Sequence, residues 1–436
     1  MTKKIYTILI LMALIASIVS CRKTEAEILT PSNQMEYRLP SEQFLSIWNS
    51  MNTSYAMWDL EEKDWTSVKD KFLPEFLALD DSVKADYPIT TKHLEELYTD
   101  ILGDLTDHHS YFSVKNIWAS DEDRSSFSIS PGNIEIRKRD YYHDNHINSS
   151  YVSLCLEYEE YAEEFNIHSW EDLTMVAWLK KLEAEGRASD IKYGSASYTM
   201  TIVSGLIEGN IPYIHISDFN LYDIMSFVEK GYNNPDLLVT YEAYESFKKN
   251  VLELEDVKGV IIDVRENRGG YLNDNFYLLG LLTDQPVQLG WSRHKCGLGR
   301  FDYSPWIPHT FSPGPEHRAI DGPVVIITDL YSSSMAEMSA LIVKAMPNGC
   351  VIGERTFGAH GVIAGDFEAT FSGTFGNTNG NHYAYLSTRI VKDINGNILE
   401  GIGVTPDIEM SYAQGTFKDG EDSWLSRAVD YIKTGK

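Results

Sequence analysis

Apolar residues recur first at helical spacing and later at strand spacing, and this change of period divides the chain. Phe44, Ile47, Trp48, Met51 and Tyr55 fall on one helical face, with Ser41 placed to cap it. A second helical stretch follows Asp64, with Trp65, Val68 and Phe72 on one side and Pro74 expected near its end. A third runs from about Thr91 to Leu105, striped by Leu94, Leu97, Tyr98, Ile101 and Leu102, and leads into Asp107-His108-His109-Ser110-Tyr111-Phe112. These stretches predict a helical N-terminal module over residues 37–112. Residues 113–200 carry less pattern: a polar segment, a tyrosine-rich stretch, and a helix from Trp170 to Leu182 that Ser169 and Asp172 are spaced to cap.

Alternation at Tyr198 to Val203 predicts a strand, which Gly209-Asn210 turns into Tyr213-Ile214-His215-Ile216, with His215 read as a packed side chain. Leu221 to Leu254 reads as helix broken at Asn233-Asn234-Pro235. Val257 to Val264 is apolar on both parities, as expected of a parallel strand covered on both faces. Residues 271–320 predict a helical segment and then a loop rich in Gly, Pro, His and Trp that covers a site. A strand from Pro323, a helix carrying Met335, Met338, Leu341, Ile342 and Ala345, and a short strand at Val351 to Gly353 follow. One strand over Tyr383 to Lys392, a hairpin at Asn395-Gly396-Asn397 and a helix from Trp424 to Ile432 complete the chain. From residue 257 onward strands and helices alternate, the α/β pattern.

Candidate chemistry gathers at strand ends. The run from Pro323 stops at Ser332, Ser333 and Ser334, and a helix follows, so a hydroxyl is held at the mouth of a sheet beside helix-start amides that can receive negative charge. Local pattern does not choose among the serines, and a serine needs a base to react. The histidines at 108 and 109 can supply one, although histidines at a helix end are commonly solvent-facing. Gly269-Gly270 closes the buried strand and would let backbone approach a ligand, a use it shares with ordinary turns.

Composition narrows the class. The 436 residues, 43% apolar, suffice for one large domain with appendages or for two to three domains. A formal charge of −27 argues against nucleic acid or an anionic membrane surface as partner. Lys3 and Lys4 followed by the apolar run Ile5 to Val19 read as a secretory signal over residues 1–20. Ile18-Val19-Ser20-Cys21 resembles a bacterial lipoprotein box, which implies lipidation of Cys21. Arg22 and Lys23, without an acid beside the lipid site, favour the outer membrane by resemblance to sorting rules, and residues 21–36 read as a tether. Cys155, Cys296 and Cys350 show neither a disulfide framework nor a zinc pattern.

Four motifs in order, DVRENRGG, DLYSSSMAE, GERTFG and EGIGVTPDI, resemble the core of the tail-specific (C-terminal processing) serine proteases. The match covers about residues 200–432, while DHHSYF resembles the tricorn-core and interphotoreceptor retinoid-binding protein-like branch. The resemblance implies an α/β, crotonase/ClpP-like core over residues 201–436, the N-terminal helical module, and an inserted middle region, 113–200, where relatives carry a PDZ-like domain. Ser130-Pro131-Gly132-Asn133 is a poor carboxylate-binding loop, so strict C-terminal specificity is not expected.

The family frame selects Ser334 as nucleophile, from Met335, Ala336 and Glu337 behind it. Where the lysine-dependent branch has its base this chain has Ala359, and the tricorn-like branch implies His109 instead, with Glu400 as its orienter. His360 is the alternative base and Lys344 ranks last, ten residues beyond the nucleophile. The oxyanion hole is assigned to amides of Gly269, Gly270 and Met335. The implied activity is peptide-bond hydrolysis through an acyl-enzyme in the bacterial cell envelope, on a protein or peptide substrate, without cofactor or metal. The alternative is a lapsed family member that binds a peptide or apolar ligand in the cleft.

Overall fold

The computed structural model describes residues 38–137, 170–196, 200–363, 371–377, 379–411 and 422–436. The expected signal, Cys21, the tether and Cys155 lie outside the described residues.

Three helices come first among the described residues: α1, Pro40–Ser54; α2, Trp65–Lys84; and α3, Thr91–Leu102. The Asp64 carboxylate accepts the Thr66 amide at 3.0 Å and the Thr90 hydroxyl accepts the His93 amide at 3.3 Å, so each of the last two helices starts on a side-chain cap. Pro74 lies inside α2 rather than near its end. The Asp70 carbonyl that it leaves without an intrahelical donor belongs to an exposed residue, while Phe72 and Phe76 on the other face are buried, so packing carries the helix past the proline.

Strands β1, Tyr111–Lys115, and β2, Ser126–Ile129, follow, then helices α4, Pro131–Arg137, and α5, Trp170–Ala184. The main sheet begins with β3, Ala188–Ala196, β4, Met200–Ile207, and β5, Ile211–Ile216, succeeded by helices α6, Leu221–Glu229, and α7, Pro235–Glu253. Strand β6 is Val260–Asp263 and helix α8 is Asp274–Leu278. Residues expected as a covering loop instead contain β7, Val287–His294, and β8, Ile307–Phe311. The chain continues through β9, Val324–Thr328, α9, Met335–Ala345, and β10, Gly349–Gly353. It closes with β11, Phe375–Gly376, β12, His382–Tyr385, β13, Arg389–Asp393, β14, Ile408–Glu409, and α10, Ser423–Thr434.

Among the described residues the largest sheet has seven strands in the order β14-β10-β9-β6-β5-β4-β3. It is parallel from β5 through β14 and antiparallel across β5, β4 and β3. Parity explains why its strands read as continuous apolar runs. Ile202, Ile214, Ile262 and Ile326 enter one core with residues of α7 and α9, whereas Val203, Tyr213, Ile261 and Val325 enter another with residues of α5 and α10. Ala188–Ala196, from the segment expected as an insertion, is an edge strand of this sheet.

The predicted single strand over Tyr383 to Lys392 is two strands in two sheets. Strand β12 pairs with β1 beside the helical module, and β13 pairs with β7. Between them the Ser387 amide and hydroxyl both donate to the Asp107 carboxylate, at 3.0 and 2.9 Å, a bend that sequence alternation does not reveal. Leu386 and Ile390 are buried in the same cluster as α1 to α3, so this crossing joins the helical module to the α/β core.

Candidate active site

Strand β9 delivers the chain into Asp329 to Ser334. The Asp329 carboxylate accepts the amides of Tyr331 and Ser332 at 3.0 and 2.9 Å and that of Glu266 at 3.1 Å, tying this turn to the one after β6. The serine cluster is then sorted by its bonds. The Ser332 hydroxyl is buried and donates to the Val264 carbonyl at 2.7 Å, and the Ser333 hydroxyl donates to the Arg268 carbonyl at 3.1 Å. Among the described residues the Ser334 hydroxyl has no hydrogen-bond partner, which leaves it free for substrate.

Ser334 sits at φ 57°, ψ −113°, immediately before α9. Such a conformation costs a side-chain-bearing residue about 1–3 kcal/mol and persists only when its surroundings fix it. The Ser333 amide donates to the Asn267 carbonyl at 2.9 Å and the Ser334 amide to the Glu337 carboxylate at 3.0 Å. Glu337 also accepts the Thr356 hydroxyl at 2.7 Å and the amides of Gly358 and Ala359 at 2.8 and 2.7 Å. Burial pushes its carboxyl up to about 7 while these four hydrogen bonds oppose the rise.

Gly269 and Gly270 take φ values of 98° and 140°. A Cβ on Gly269 would stand 2.6 Å from Ser334 Cβ, so only glycine permits this approach. Its amide, expected as an oxyanion donor, is instead spent on the Asn267 side-chain oxygen at 2.8 Å. Asn267 in turn donates to the Ile216 carbonyl at 2.7 Å. The amides of Gly270 and Met335 donate to no acceptor among the described residues, and both residues line the cavity that Ser334 faces. Met335 is the first residue of α9, where an N–H has no intrahelical acceptor.

His109 lines the same cavity, of about 310 Å³. The Asp107 carboxylate accepts the His109 amide at 3.1 Å, and the Gly361 carbonyl lies 2.6 Å from His109 Nδ1. Taken as an N–H···O bond, that contact puts the proton on Nδ1 and leaves Nε2 as the basic nitrogen. Burial lowers the His109 pKa, opposed by the Asp107 charge and the Gly361 carbonyl. No hydrogen bond joins Ser334 Oγ to the ring among the described residues.

Glu400 does not orient this imidazole directly. Its buried carboxylate accepts the backbone amides of His108, at 2.9 Å, and of His360 and Gly361, at 2.9 and 2.5 Å. It thus joins the two segments that carry and hold His109, and the carboxylate whose charge reaches the ring is that of Asp107. In the sequence Asp107 marks only the start of the histidine motif. Its buried position, shared with Ser387, 280 residues away, supplies the role.

The alternative bases are placed less favourably. His360 lines the cavity, but its ring is buried and among the described residues neither nitrogen has a hydrogen-bond partner. Burial foremost, with the nearby His309 and His109, lowers its pKa to about 3, so it accepts a proton poorly. Lys344 bonds the Thr405 carbonyl and the Asp407 carboxylate, outside the cavity lining. His215 is buried with Nδ1 3.9 Å from Asp263, the packed histidine expected. Ser130-Pro131-Gly132-Asn133 leads into α4 and packs against His108, where a Cβ on Gly132 would come within 2.8 Å of His108 Cβ. Among the described residues no group of His, Cys, Asp and Glu is arranged to hold a metal ion.

A strained serine at a strand-to-helix turn, a histidine and free amides in one cleft define a serine-hydrolase type of site on an α/β core. Residues 210–410, just under half of the chain, match the model of Peptidase family S41, the family of the tail-specific proteases, so the chain carries a domain of that kind. Tricorn protease of Thermoplasma volcanium is 26% identical over 225 residues, which is 51% of this chain and 17% of that protein. The chain spans about a fifth or less of the length of the curated relatives it matches. A solved structure from Parabacteroides merdae aligns with a TM-score of 0.58 at 17% identity, over 92% of this chain and 98% of the other. Mature CPAF in complex with lactacystin aligns at 0.55 and 14%, over 91% and 99%. These two likenesses carry the fold, the helical module included. The family match begins after residue 109, so His109 is contributed from outside it.

Proposed function

We propose that this protein is a serine peptidase that cleaves peptide bonds through an acyl-enzyme, with Ser334 as nucleophile and His109 as base. The observation that carries the reading is that Ser334, His109 and the amide-bearing residues Gly270 and Met335 line one cavity. Neutral His109 takes the hydroxyl proton as Ser334 Oγ attacks the carbonyl carbon. The Gly270 and Met335 amides receive the developing oxyanion, each worth about 3–4 kcal/mol in comparable sites. Protonated His109 then gives the proton to the leaving amine, and water, activated by the same ring, hydrolyses the ester. Glu400 and Asp107 hold the geometry, and Asp107 stabilises the imidazolium.

The second reading, a lapsed member that binds a peptide or apolar ligand, draws on the absence of a Ser334–His109 hydrogen bond among the described residues and on Ala359 at the lysine position. Catalytic hydrogen bonds often close only around substrate, so the peptidase reading is preferred. A fluorophosphonate probe decides between them: covalent labelling of the wild type and none of Ser334→Ala supports the peptidase. An unlabelled wild type that still binds peptides establishes the binding protein.

We place the protein in the cell envelope, lipid-anchored at Cys21 in the outer membrane, on the strength of the apolar run, the lipoprotein-like box and the Arg22-Lys23 flank. Incorporation of radiolabelled fatty acid that survives Cys21→Ala would remove the anchor from this account.

A further inference from the structure

The cavity lining contradicts the charge of the chain. Acids outnumber Lys and Arg by 64 to 37, yet the described lining residues include no Asp or Glu, and the ionisable ones are His109, Arg268, His360 and Tyr385. The nearby carboxylates, Glu337, Glu400 and Asp107, are buried behind the wall and occupied by backbone amides. They therefore present little accessible negative surface to a ligand.

Arg268 is exposed and precedes the glycine pair. Its carbonyl accepts the Ser333 hydroxyl at 3.1 Å, which fixes its backbone beside the nucleophile turn. Among the described residues its guanidinium takes part in no hydrogen bond, ion pair or ring contact. The contrast is with Arg265, three positions earlier, whose guanidinium is fully buried between Asp263 and Asp422 at 2.6 and 2.7 Å. One arginine of this segment supports the fold, and the other keeps its planar set of donors open at the reaction centre. A second sign that the cleft receives a polar ligand is His360, whose buried ring lines the same cavity with neither nitrogen hydrogen-bonded among the described residues.

We propose that Arg268 is a specificity-determining residue of the catalytic cleft that binds a substrate carboxylate within a residue or two of the scissile bond. The proposal rests on the peptidase reading and names its substrate class: peptides that are acidic next to the cleaved bond. The carboxylate comes from an Asp or Glu side chain or from the chain terminus itself, and the two sources are separable.

The test uses quenched fluorogenic peptides that differ only in Asp, Asn or Lys at each position flanking the cleaved bond, each made with a free and an amidated C-terminus. Wild type should favour Asp over Asn by roughly tenfold in kcat/KM at one position. The preference should shrink with added salt, as expected of an exposed charge pair. Arg268→Gln should abolish it, Arg268→Glu should turn it toward Lys, and Arg268→Lys should keep part of it. Discrimination between free and amidated termini, without side-chain preference, assigns the carboxylate to the terminus. Equal rates on Asp and Asn peptides with either terminus, or a preference that survives Arg268→Gln in a protein of wild-type melting temperature, overturns the proposal. Fluorophosphonate labelling of Ser334 reads the peptidase assignment independently. Should labelling fail, fluorescence anisotropy of the same peptides with wild type and Arg268→Gln still reads the carboxylate preference as a change in Kd.

Discussion

At Ser334 and His109 the chemistry depends on which protons are already committed. Ser332 and Ser333 spend their hydroxyls on backbone carbonyls, so among the described residues the hydroxyl of this cluster left free is that of Ser334, the one the motif frame also selected. His109 must be neutral to act as base, and burial lowers its pKa from the ordinary value of 6.5. kcat/KM should therefore hold at and above pH 6.5 and fall only as pH drops further, when the ring takes up a proton. Asp107→Asn should move this acid limb to still lower pH, because the Asp107 charge opposes the lowering. His109→Ala should reduce kcat/KM by about 10²–10⁴-fold and remove the limb. A limb centred above 6.5, or one that persists in His109→Ala, would take the base away from this residue. The histidine was legible only through its motif. Its working partners, Asp107 and the Gly361 carbonyl, were not, because one had no assigned role and the other is backbone 252 residues away.

Two turns, one after β6 and one after β9, meet edge to edge to make the cleft. Their closeness depends on Gly269, where an added Cβ would lie 2.6 Å from Ser334 Cβ and 2.8 Å from the Met335 nitrogen, at φ +98°. Gly269→Ala must therefore both strain its own backbone and push back Ser334 and the Met335 amide, the proposed nucleophile and oxyanion donor. Expected outcomes are a loss of stability of about 1 kcal/mol or more and at least a tenfold slower fluorophosphonate labelling. Thermal unfolding and labelling kinetics measure the two separately, and an unimpaired labelling rate would show that the two turns are not mechanically joined. The glycine pair was visible in the sequence. The difference between them, an amide taken at Gly269 and one left for the proposed oxyanion donation at Gly270, was not, because it depends on the Asn267 side chain taking the Gly269 amide.

Across the whole molecule the helical module and the α/β core are joined by polar contacts at the site and by buried apolar side chains at β12 and β13. His382, on β12, is buried within this junction, and burial lowers its pKa to about 4. The unfolded chain takes up a proton at about 6.5 and the folded chain only near 4. The neutral ring's contribution is thus complete above about pH 6.5 and is lost as pH falls toward 4, at up to ~1.4 kcal/mol per pH unit. Glu337, pushed up to about 7, acts in the opposite sense, its contribution complete below the ordinary glutamate range and lost as pH rises through 7. Comparing wild type with His382→Gln isolates the histidine: wild-type stability relative to the variant should decline between pH 6.5 and 4. Parallel stability curves from urea unfolding across that range would contradict the burial argument.

The sequence by itself determined the α/β core and the three N-terminal helices, since periodicity is a local property written within a few residues, and its four ordered motifs carried the family resemblance and the choice of Ser334 among three serines that local pattern left equal. It could not determine where Pro74 lies within its helix, the division of Tyr383 to Lys392 between two sheets, or the strands within 271–320. Each of those is settled by packing partners distant in the chain. The same holds for the site. Glu400 positions backbone rather than the imidazole, the amide of Gly269 is already occupied, and Arg268 is left without a protein partner among the described residues. Hydrogen bonds are exclusive, so a donor's availability follows only from knowing which other groups the fold has brought within reach.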